Sequence, residues 1–348
     1  MHASALAEEH VPTRSNPTTS EAVLGDRLRA ADPADPQNGV LVALAAGQPA
    51  DRDALARVLG PDLVSGLIAS RTLRSRSEGL HLDYALGLTN DVIFVAPDPD
   101  PAPGESRRVD DLLYLGPDSA FLVEAALSLA PVGERAVDLG AGTGLLAAVL
   151  VRRYATVVAT DLVPRVAGAA RLTLALNARP DGHRAGAVVA DVAGGLRRRS
   201  FDLVTANAPW VPIAAGPDAR HRVFADGGST GVELPLRFIR EGAELLCPGG
   251  VAIVLALDVL CDDGRRPIRD ACADLSAHGF TTVLVPTPMP LILPDLPQRV
   301  CARQPRLVDA EHVAVVVAAP SPSGGPRYRV LVAAEALARR WAARSESA

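Results

Sequence analysis

The stretch VDLGAGTG, residues 137–144, decides how this chain folds. The apolar run RAV at 135–137 leads into it, and an apolar, helix-compatible segment at 145–151 follows. A buried strand that ends in a glycine-rich turn and opens into a helix is typical of α/β sheets that bind nucleotide cofactors. Glycine lets the backbone approach a ligand closely, and the free N–H groups of the helix face that ligand. The stretch therefore predicts a cofactor site.

The spacing of one acid and three glycines indicates the class of cofactor. Asp138 stands two residues before Gly140, and Gly142 and Gly144 follow in alternation. A dinucleotide pattern ending at Ala147 fits only loosely, and such a match alone is weak. The order D-x-G-x-G-x-G resembles the first motif of class I S-adenosylmethionine-dependent methyltransferases, in which the acid and the turn hold the methionine part of the cofactor. The resemblance implies S-adenosyl-L-methionine as cofactor, and a tight turn without any cofactor is the alternative.

Three further side chains are predicted to bind the cofactor. Asp161 follows the second predicted strand, where a carboxylate can accept hydrogen bonds from both hydroxyls of a ribose. Asp191 follows the third strand, and in the family an acid there accepts from the adenine amino group. Asp118 or Ser119 caps a helix that, by the same resemblance, starts over the cofactor, and Ser119 is the candidate cofactor-binding residue. The alternatives are a surface acid, a helix cap and an ordinary capped helix, respectively.

Strands and helices alternate regularly from residue 135 onward, which predicts an α/β fold with a mostly parallel sheet covered by helices on both faces. Seven strands with a final antiparallel hairpin would complete the Rossmann-like sheet of class I methyltransferases. The predicted strands are 136–139, 156–160, 185–190, 201–206, 251–256, 281–285 and 312–318, and the main predicted helices are 145–153, 166–177, 233–246 and 265–278.

The remaining chain divides by composition. Residues 1–19 are polar and aperiodic, which predicts a disordered tail. Residues 20–103 predict a small α+β domain of short helices and a hairpin, similar to a winged helix. Its candidate recognition helix carries no basic residue, which favours packing or dimerisation over DNA binding. The methyltransferase domain is placed at 104–320, and a linker with a terminal helix at 321–348.

The composition of the chain indicates which kinds of partner and which cellular compartment to expect. The chain has 348 residues, of which 48% are hydrophobic and 22% charged, as in ordinary globular proteins. No apolar run is long enough for a bilayer and the first residues lack a signal-peptide pattern, so we expect a cytoplasmic protein without a membrane partner. The four cysteines form no C-x-x-C, and no metal site is predicted. A net charge of -5 disfavours a nucleic-acid substrate.

The candidate chemistry lies in the run NAPW, residues 207–210. It resembles the [D/N/S]-P-P-[Y/F/W] motif of methyltransferases that modify planar nitrogens, whose lone pairs are delocalised and poorly nucleophilic. The side-chain carbonyl of Asn207 would accept an N–H of the acceptor, Trp210 would stack on its flat group, and Pro209 would stiffen the loop. Ala208 replaces the first proline of the motif, which puts the usual acceptor of the family in doubt.

A second resemblance follows this run. FADGGSTGV at 224–232, Arg237 and PGG at 248–250 are similar to the corresponding stretch of protein-glutamine methyltransferases of peptide-release factors. The resemblance covers about residues 116–257 and leaves the N-terminal module out. Asp226 and Glu233 are candidate substrate-binding residues because a cationic acceptor would want carboxylates nearby, although Asp226 could instead cap the following helix.

The sequence thus predicts an N-methyltransferase for an amide or guanidine nitrogen of an amino acid, small metabolite or peptide side chain. Two alternatives stay open, namely a methyltransferase of RNA or DNA bases and a cofactor-binding DNA regulator without turnover. A homodimer is compatible with the sequence, and the loop at 286–297 is either a lid over the substrate or a dimer contact.

Overall fold

The structure of the protein is a computed structural model. It describes residues 20–32, 35, 38–82, 84–89, 91–96, 116–131, 133–179, 183–213, 225–287, 289, 294–321, 333, 336, 337 and 339. The predicted tail at 1–19 lies outside these residues, as do the centre of the loop at 286–297 and most of the segment at 321–348. Among the described helices, none is long and apolar enough to cross a bilayer.

The described residues between 20 and 96 form four helices and two separate antiparallel hairpins. Asp51 starts the third helix because its side chain accepts a hydrogen bond of 2.8 Å from the N–H of Ala54. Buried leucines from the helices share one core with Leu176 of a later helix. The winged-helix interpretation of this module stays a prediction. The elements are α1 (Ser20–Ala30), α2 (Gly39–Ala45), α3 (Arg52–Leu59), α4 (Pro61–Ala69), β1 (Arg74–Arg76), β2 (Gly79–His81), β3 (Leu86–Thr89) and β4 (Val92–Val95).

The rest of the described chain alternates strands and helices around one seven-stranded sheet. The strands are β5 (Arg135–Leu139), β6 (Thr156–Asp161), β7 (Arg184–Val189), β8 (Phe201–Asn207), β9 (Leu246–Cys261), β10 (Thr281–Pro286) and β11 (Leu307–Ala318). The helices are α5 (Pro117–Leu129), α6 (Leu145–Leu150), α7 (Pro164–Leu176), α8 (Glu233–Leu245), α9 (Pro267–Ala277) and α10 (Leu296–Arg303). The strand order is β10-β11-β9-β8-β5-β6-β7, and only β11 runs antiparallel to its neighbours. The predicted class I methyltransferase sheet is confirmed.

The central strands of this sheet are buried on both faces, as near-continuous apolar strands require. Successive residues of β5 point to opposite faces, so that Val137 joins one core with Phe238 of α8 and Ala136 joins the other with Phe121 of α5. Strand β9 is longer than its predicted range of 251–256, because its pairing with β11 continues as far as Cys261.

The N-terminal module supports the glycine-rich turn through one buried threonine. Thr173, on α7, accepts a hydrogen bond of 2.9 Å from the N–H of Val95 in β4. Its hydroxyl in turn donates to the carbonyl of Thr143 in the turn, at 2.6 Å. Two hydrogen bonds thus connect the hairpin β3–β4 to the candidate cofactor loop.

Candidate functional site

The turn between β5 and α6 depends on glycine for two separate reasons. Gly142 and Gly144 have φ values of 56° and 79°, a left-handed conformation that disfavours side chains. A Cβ at Gly144 would lie 2.8 Å from the Cα of Ala170, so α7 packs directly against the turn. A Cβ at Gly142 would meet nothing within 4 Å among the described atoms. Gly144 therefore serves packing, whereas Gly142 leaves space where a ligand can lie against the backbone.

We expect Gly144→Ala to destabilise the fold far more than Gly142→Ala. Both variants bear the left-handed strain of about 1–2 kcal/mol, but only Gly144→Ala adds a clash with backbone, which costs about 1–3 kcal/mol more. Denaturant unfolding of the two variants side by side measures the difference. Equal losses of unfolding free energy would contradict the packing role of Gly144.

Asp138 is a buried carboxylate at the end of β5, 3% exposed. The hydroxyl of Thr205, on the neighbouring strand β8, donates to its Oδ1 at 2.8 Å. Burial raises the pKa of Asp138 to about 7, with a smaller contribution from the charge of Asp161, and the Thr205 hydrogen bond opposes the shift. A carboxylate kept this dry is stabilised by a cationic ligand.

Asp161 ties the turn to the end of β6. Its Oδ2 accepts from the N–H of Gly142 at 3.1 Å, and its Oδ1 accepts from the N–H of Val163 at 3.0 Å. Burial raises the pKa of Asp161, and these backbone hydrogen bonds oppose that rise. Each oxygen of Asp161 keeps a second lone pair, which is available to a ribose hydroxyl. The binding of ribose by Asp161 stays a prediction.

Asp191 is exposed, and its carboxylate already has a cationic partner. The guanidinium of Arg237, on α8, donates to Asp191 Oδ1 at 3.1 Å and also pairs with Glu241. Next to it, Val192 has a φ of 51° although its side chain is branched at Cβ, and the hydroxyl of Thr160 donates to its carbonyl at 3.0 Å. The binding of the adenine amino group by Asp191 stays a prediction. The sequence did not indicate that Arg237 pairs with this carboxylate.

Asn207 lies at the end of β8, half-buried, and faces the start of α5. Its Nδ2 donates to Asp118 Oδ2 at 3.1 Å and approaches Ser119 Oγ at 3.4 Å. A carboxylate can only accept, so the amide nitrogen is the atom that faces Asp118 and the assignment of the amide is settled by this contact. No described residue donates to Asn207 Oδ1.

A cavity of about 50 Å³ connects the glycine-rich turn to this asparagine. Residues predicted to bind the cofactor and the residue predicted to bind the acceptor thus line one space. Asp138, Gly140 and Asn207 lie at the carboxyl ends of parallel strands, where open α/β sheets bind ligands, and Ser119 lies at the start of α5 beside them. The lining residues include Ser119, Leu122, Asp138, Gly140, Ala141 and Asn207.

The family model of the methyltransferase small domain matches residues 115–260, close to the span that the motifs indicated. The release factor glutamine methyltransferase of Bradyrhizobium diazoefficiens is 31% identical over 215 residues, which are 57% of this chain and 67% of that protein. The chain belongs to the release factor glutamine methyltransferase family. The relative from Moorella thermoacetica is 35% identical over 181 residues, 48% of this chain and 60% of that protein.

The similarity to these relatives covers only part of their length. The chain spans 50% to 60% of the length of the relatives from Geobacter sulfurreducens, Moorella thermoacetica and Gloeobacter violaceus. Among solved structures, P. horikoshii TYW2 in complex with MeSAdo has a TM-score of 0.41 and 14% identity, over 73% of this chain and 81% of that one.

In this member of the family, Trp210 rests on a buried histidine. The two rings are 5.0 Å apart and meet edge to face at 63°. His312 is fully buried on β11, and its Nδ1 lies 2.8 Å from Thr287 Oγ1. Burial lowers the pKa of His312 to about 4, with the charge of Asp118 acting in the opposite direction, so the ring is neutral near pH 7. Sequence reasoning missed this support for Trp210.

The stretch at 226–233, which leads into α8, is stabilised by two carboxylates within it. Asp226 Oδ1 accepts from the N–H of Gly228 at 2.8 Å. Glu233 accepts from the Ser229 hydroxyl and from the N–H groups of Thr230 and Val232. Burial alone would raise the pKa of Glu233, but these hydrogen bonds lower it overall. Both acids stabilise the loop before α8, and their predicted contact with substrate stays a prediction.

Proposed function

We propose that this protein is an S-adenosylmethionine-dependent N-methyltransferase whose acceptor is the side-chain amide of a glutamine within a protein. The observation that carries the proposal is the oriented Asn207 amide in a cavity shared with the glycine-rich turn. The release factor glutamine methyltransferases to which the chain is similar support the choice of a protein amide among the planar nitrogens.

The residues of the donor half of the site suit a cationic cofactor. Asp138 brings a buried carboxylate whose pKa is raised to about 7, and Gly142 leaves open space beside the turn backbone. Asp138 would hold the methionine end and Asp161 the ribose, as the family resemblance implies. When bound, S-adenosyl-L-methionine supplies an electrophilic methyl group on a sulfonium.

The acceptor half addresses the weak nucleophilicity of an amide nitrogen, whose lone pair is delocalised into its carbonyl. Asn207 Oδ1 would accept one N–H of the substrate amide and favour lone-pair density on the opposite side, towards the methyl group. Asn207 would thus hold the amide nitrogen ready to receive the methyl group, and the proton lost from that nitrogen would pass to water. Placing the two reactants in line accounts for much of the rate.

Packing replaces the missing proline of the motif. Ala208 is 1% exposed and belongs to the core shared with α8, so its side chain is fixed by packing against that core. Immediately after the motif, the N–H of Val211 donates to the carbonyl of Ala225 at 2.9 Å, and the N–H of Gly227 donates back to Val211 at 3.0 Å. The loop that would place Trp210 over the substrate amide is thereby braced without the first proline.

Methyl transfer with radiolabelled S-adenosylmethionine tests the proposal. Bacterial release factors, free glutamine, arginine-rich peptides and RNA are offered separately. We expect label in the release factor, and hydrolysis of the N-methyl amide in strong acid should release it as methylammonium, which becomes volatile methylamine when base is added. Label that survives hydrolysis on arginine, or that enters only RNA, would overturn the amide assignment.

Salt dependence separates protein methylation from base methylation. Helix α4, the candidate recognition helix, has the sequence PDLVSGLIA without a basic residue. We therefore expect turnover of a protein substrate to change little between 50 and 200 mM salt. Methylation that depends on phosphate contacts would instead lose about 10³-fold or more in affinity over that range, and such a loss would support the nucleic-acid alternative.

A further inference from the structure

Asp118 stands between the start of α5 and the motif residue Asn207, and nothing in the motif assigns it a role. We propose that Asp118 is a positioning residue, which fixes the amide of Asn207 so that Oδ1 is left to accept from the substrate. This inference rests on the proposed function, because it concerns how that acceptor site is prepared.

The carboxylate of Asp118 is itself held in place by the backbone N–H of the next residue. Its Oδ1 accepts from the N–H of Ser119 at 2.8 Å, within the first turn of α5. Its Oδ2 therefore faces Asn207, whose Nδ2 lies 3.1 Å away. Since each oxygen has a defined donor, the carboxylate is oriented before any substrate arrives, and it imposes one orientation on the asparagine amide.

A second asparagine shows how the arrangement at Asn207 differs from a purely structural one. Asn177 uses both ends of its amide within the protein, because its Nδ2 donates to the carbonyl of Ile93 and its Oδ1 accepts from the N–H of Ile93. At Asn207 the described bonds engage only the nitrogen. An amide that is fixed at one end and open at the other, beside a cavity, is suited to receive a ligand.

Without Asp118, the two orientations of the Asn207 amide become close in energy. The flipped orientation would present N–H groups to the N–H of the substrate, which repel each other. Among the described hydrogen bonds, the ring of His312 bonds to Thr287 and none joins it to Asp118, so His312 does not take the place of Asn207 as a partner of that carboxylate. The orientation of Asn207 thus depends on the carboxylate, with Ser119 as a weaker contact at 3.4 Å.

The test compares Asp118→Ala with Asp118→Asn, with Glu124→Gln as the control on the same helix. We expect Asp118→Ala to lower kcat by up to about 100-fold, the order expected when a reacting group is misplaced, with the KM for the release factor nearly unchanged. Asp118→Asn should lie between Asp118→Ala and the wild type, because its single side-chain oxygen can accept from the N–H of Ser119 or from Asn207 Nδ2 but no longer from both. Glu124→Gln should behave as the wild type. A folded Asp118→Ala with the kcat of the wild type would overturn the proposal.

A measurement without turnover keeps this inference separate from the proposed function. In ¹⁵N-labelled protein, the Asn207 side-chain amide resonances, assigned with Asn207→Ala, should be displaced from the free-amide position by the carboxylate. We expect that displacement to vanish in Asp118→Ala and to become smaller in Asp118→Asn, whatever the acceptor is. Resonances that do not respond to Asp118→Ala would refute the positioning role, whereas a wild type that methylates no amide would refute only the function.

Discussion

Asn207→Ala should lower kcat by about 10² to 10³-fold, the order seen when one pre-placed polar group is removed from a reaction centre. The reason is that Oδ1 is the group left open beside the cavity, so its loss removes the acceptor for the substrate N–H. The affinity for S-adenosylmethionine should change little, because the donor half is built from other residues. Single-turnover transfer and calorimetry with the cofactor measure the two quantities separately.

The control for this experiment is Asn38→Ala, the same substitution at a surface asparagine whose Nδ2 donates to the carbonyl of Asp32. It should leave transfer and cofactor affinity as in the wild type. A wild-type protein that binds the cofactor but methylates none of the offered acceptors would favour the regulator alternative. An Asn207→Ala protein with full kcat would remove Asn207 from the reaction.

Cofactor binding should strengthen as the pH rises towards neutrality, and the strengthening should depend on Asp138. Its pKa is raised to about 7 in the cofactor-free protein, so the carboxyl is protonated below that pH and ionised above it. A cationic ligand prefers the ionised form. If only that form binds tightly, the dissociation constant should increase by up to about tenfold for each pH unit below 7. Calorimetry between pH 5.5 and 7 keeps the α-amino group of the cofactor protonated.

Asp138→Asn tests the origin of this pH dependence. The variant keeps the shape of the side chain and removes its charge, so cofactor binding at pH 7.5 should weaken by about 10- to 100-fold, as loss of a charged hydrogen bond implies. Its dissociation constant should no longer follow a group with a pKa near 7. A pH profile of Asp138→Asn that matches the wild type would assign the titration to another group.

The donor half of the site was largely predictable from the sequence, because its parts are close along the chain. The acid Asp138 and the glycines share one turn, and Asp161 follows one helix and one strand later. The βαβ geometry of neighbouring parallel strands brings such residues to one edge. The hydrogen bond from Gly142 to Asp161 spans 19 positions and is of this kind.

The acceptor half was predictable only in part, because its supports come from distant segments. Asp118 lies 89 positions from Asn207, and His312 belongs to the last strand of the sheet. Asp118 was visible only as the possible cap of a helix, and its nearness to the motif follows from the packing of α5 beside β8. The sequence predicted that Asp226 and Glu233 bind the substrate, but it did not indicate that local hydrogen bonds already use both carboxylates.

The order of strands and helices, the glycine-rich turn and the motif at 207–210 were determined by the sequence alone, since periodicity and turn chemistry act over a few residues. The tertiary structure decided which side chains complete the site, namely which carboxylate orients Asn207 and which ring supports Trp210. The physical reason is that a hydrogen bond or a ring contact needs atoms within a few ångströms. Only the packing of the helices on the sheet brings these distant segments that close.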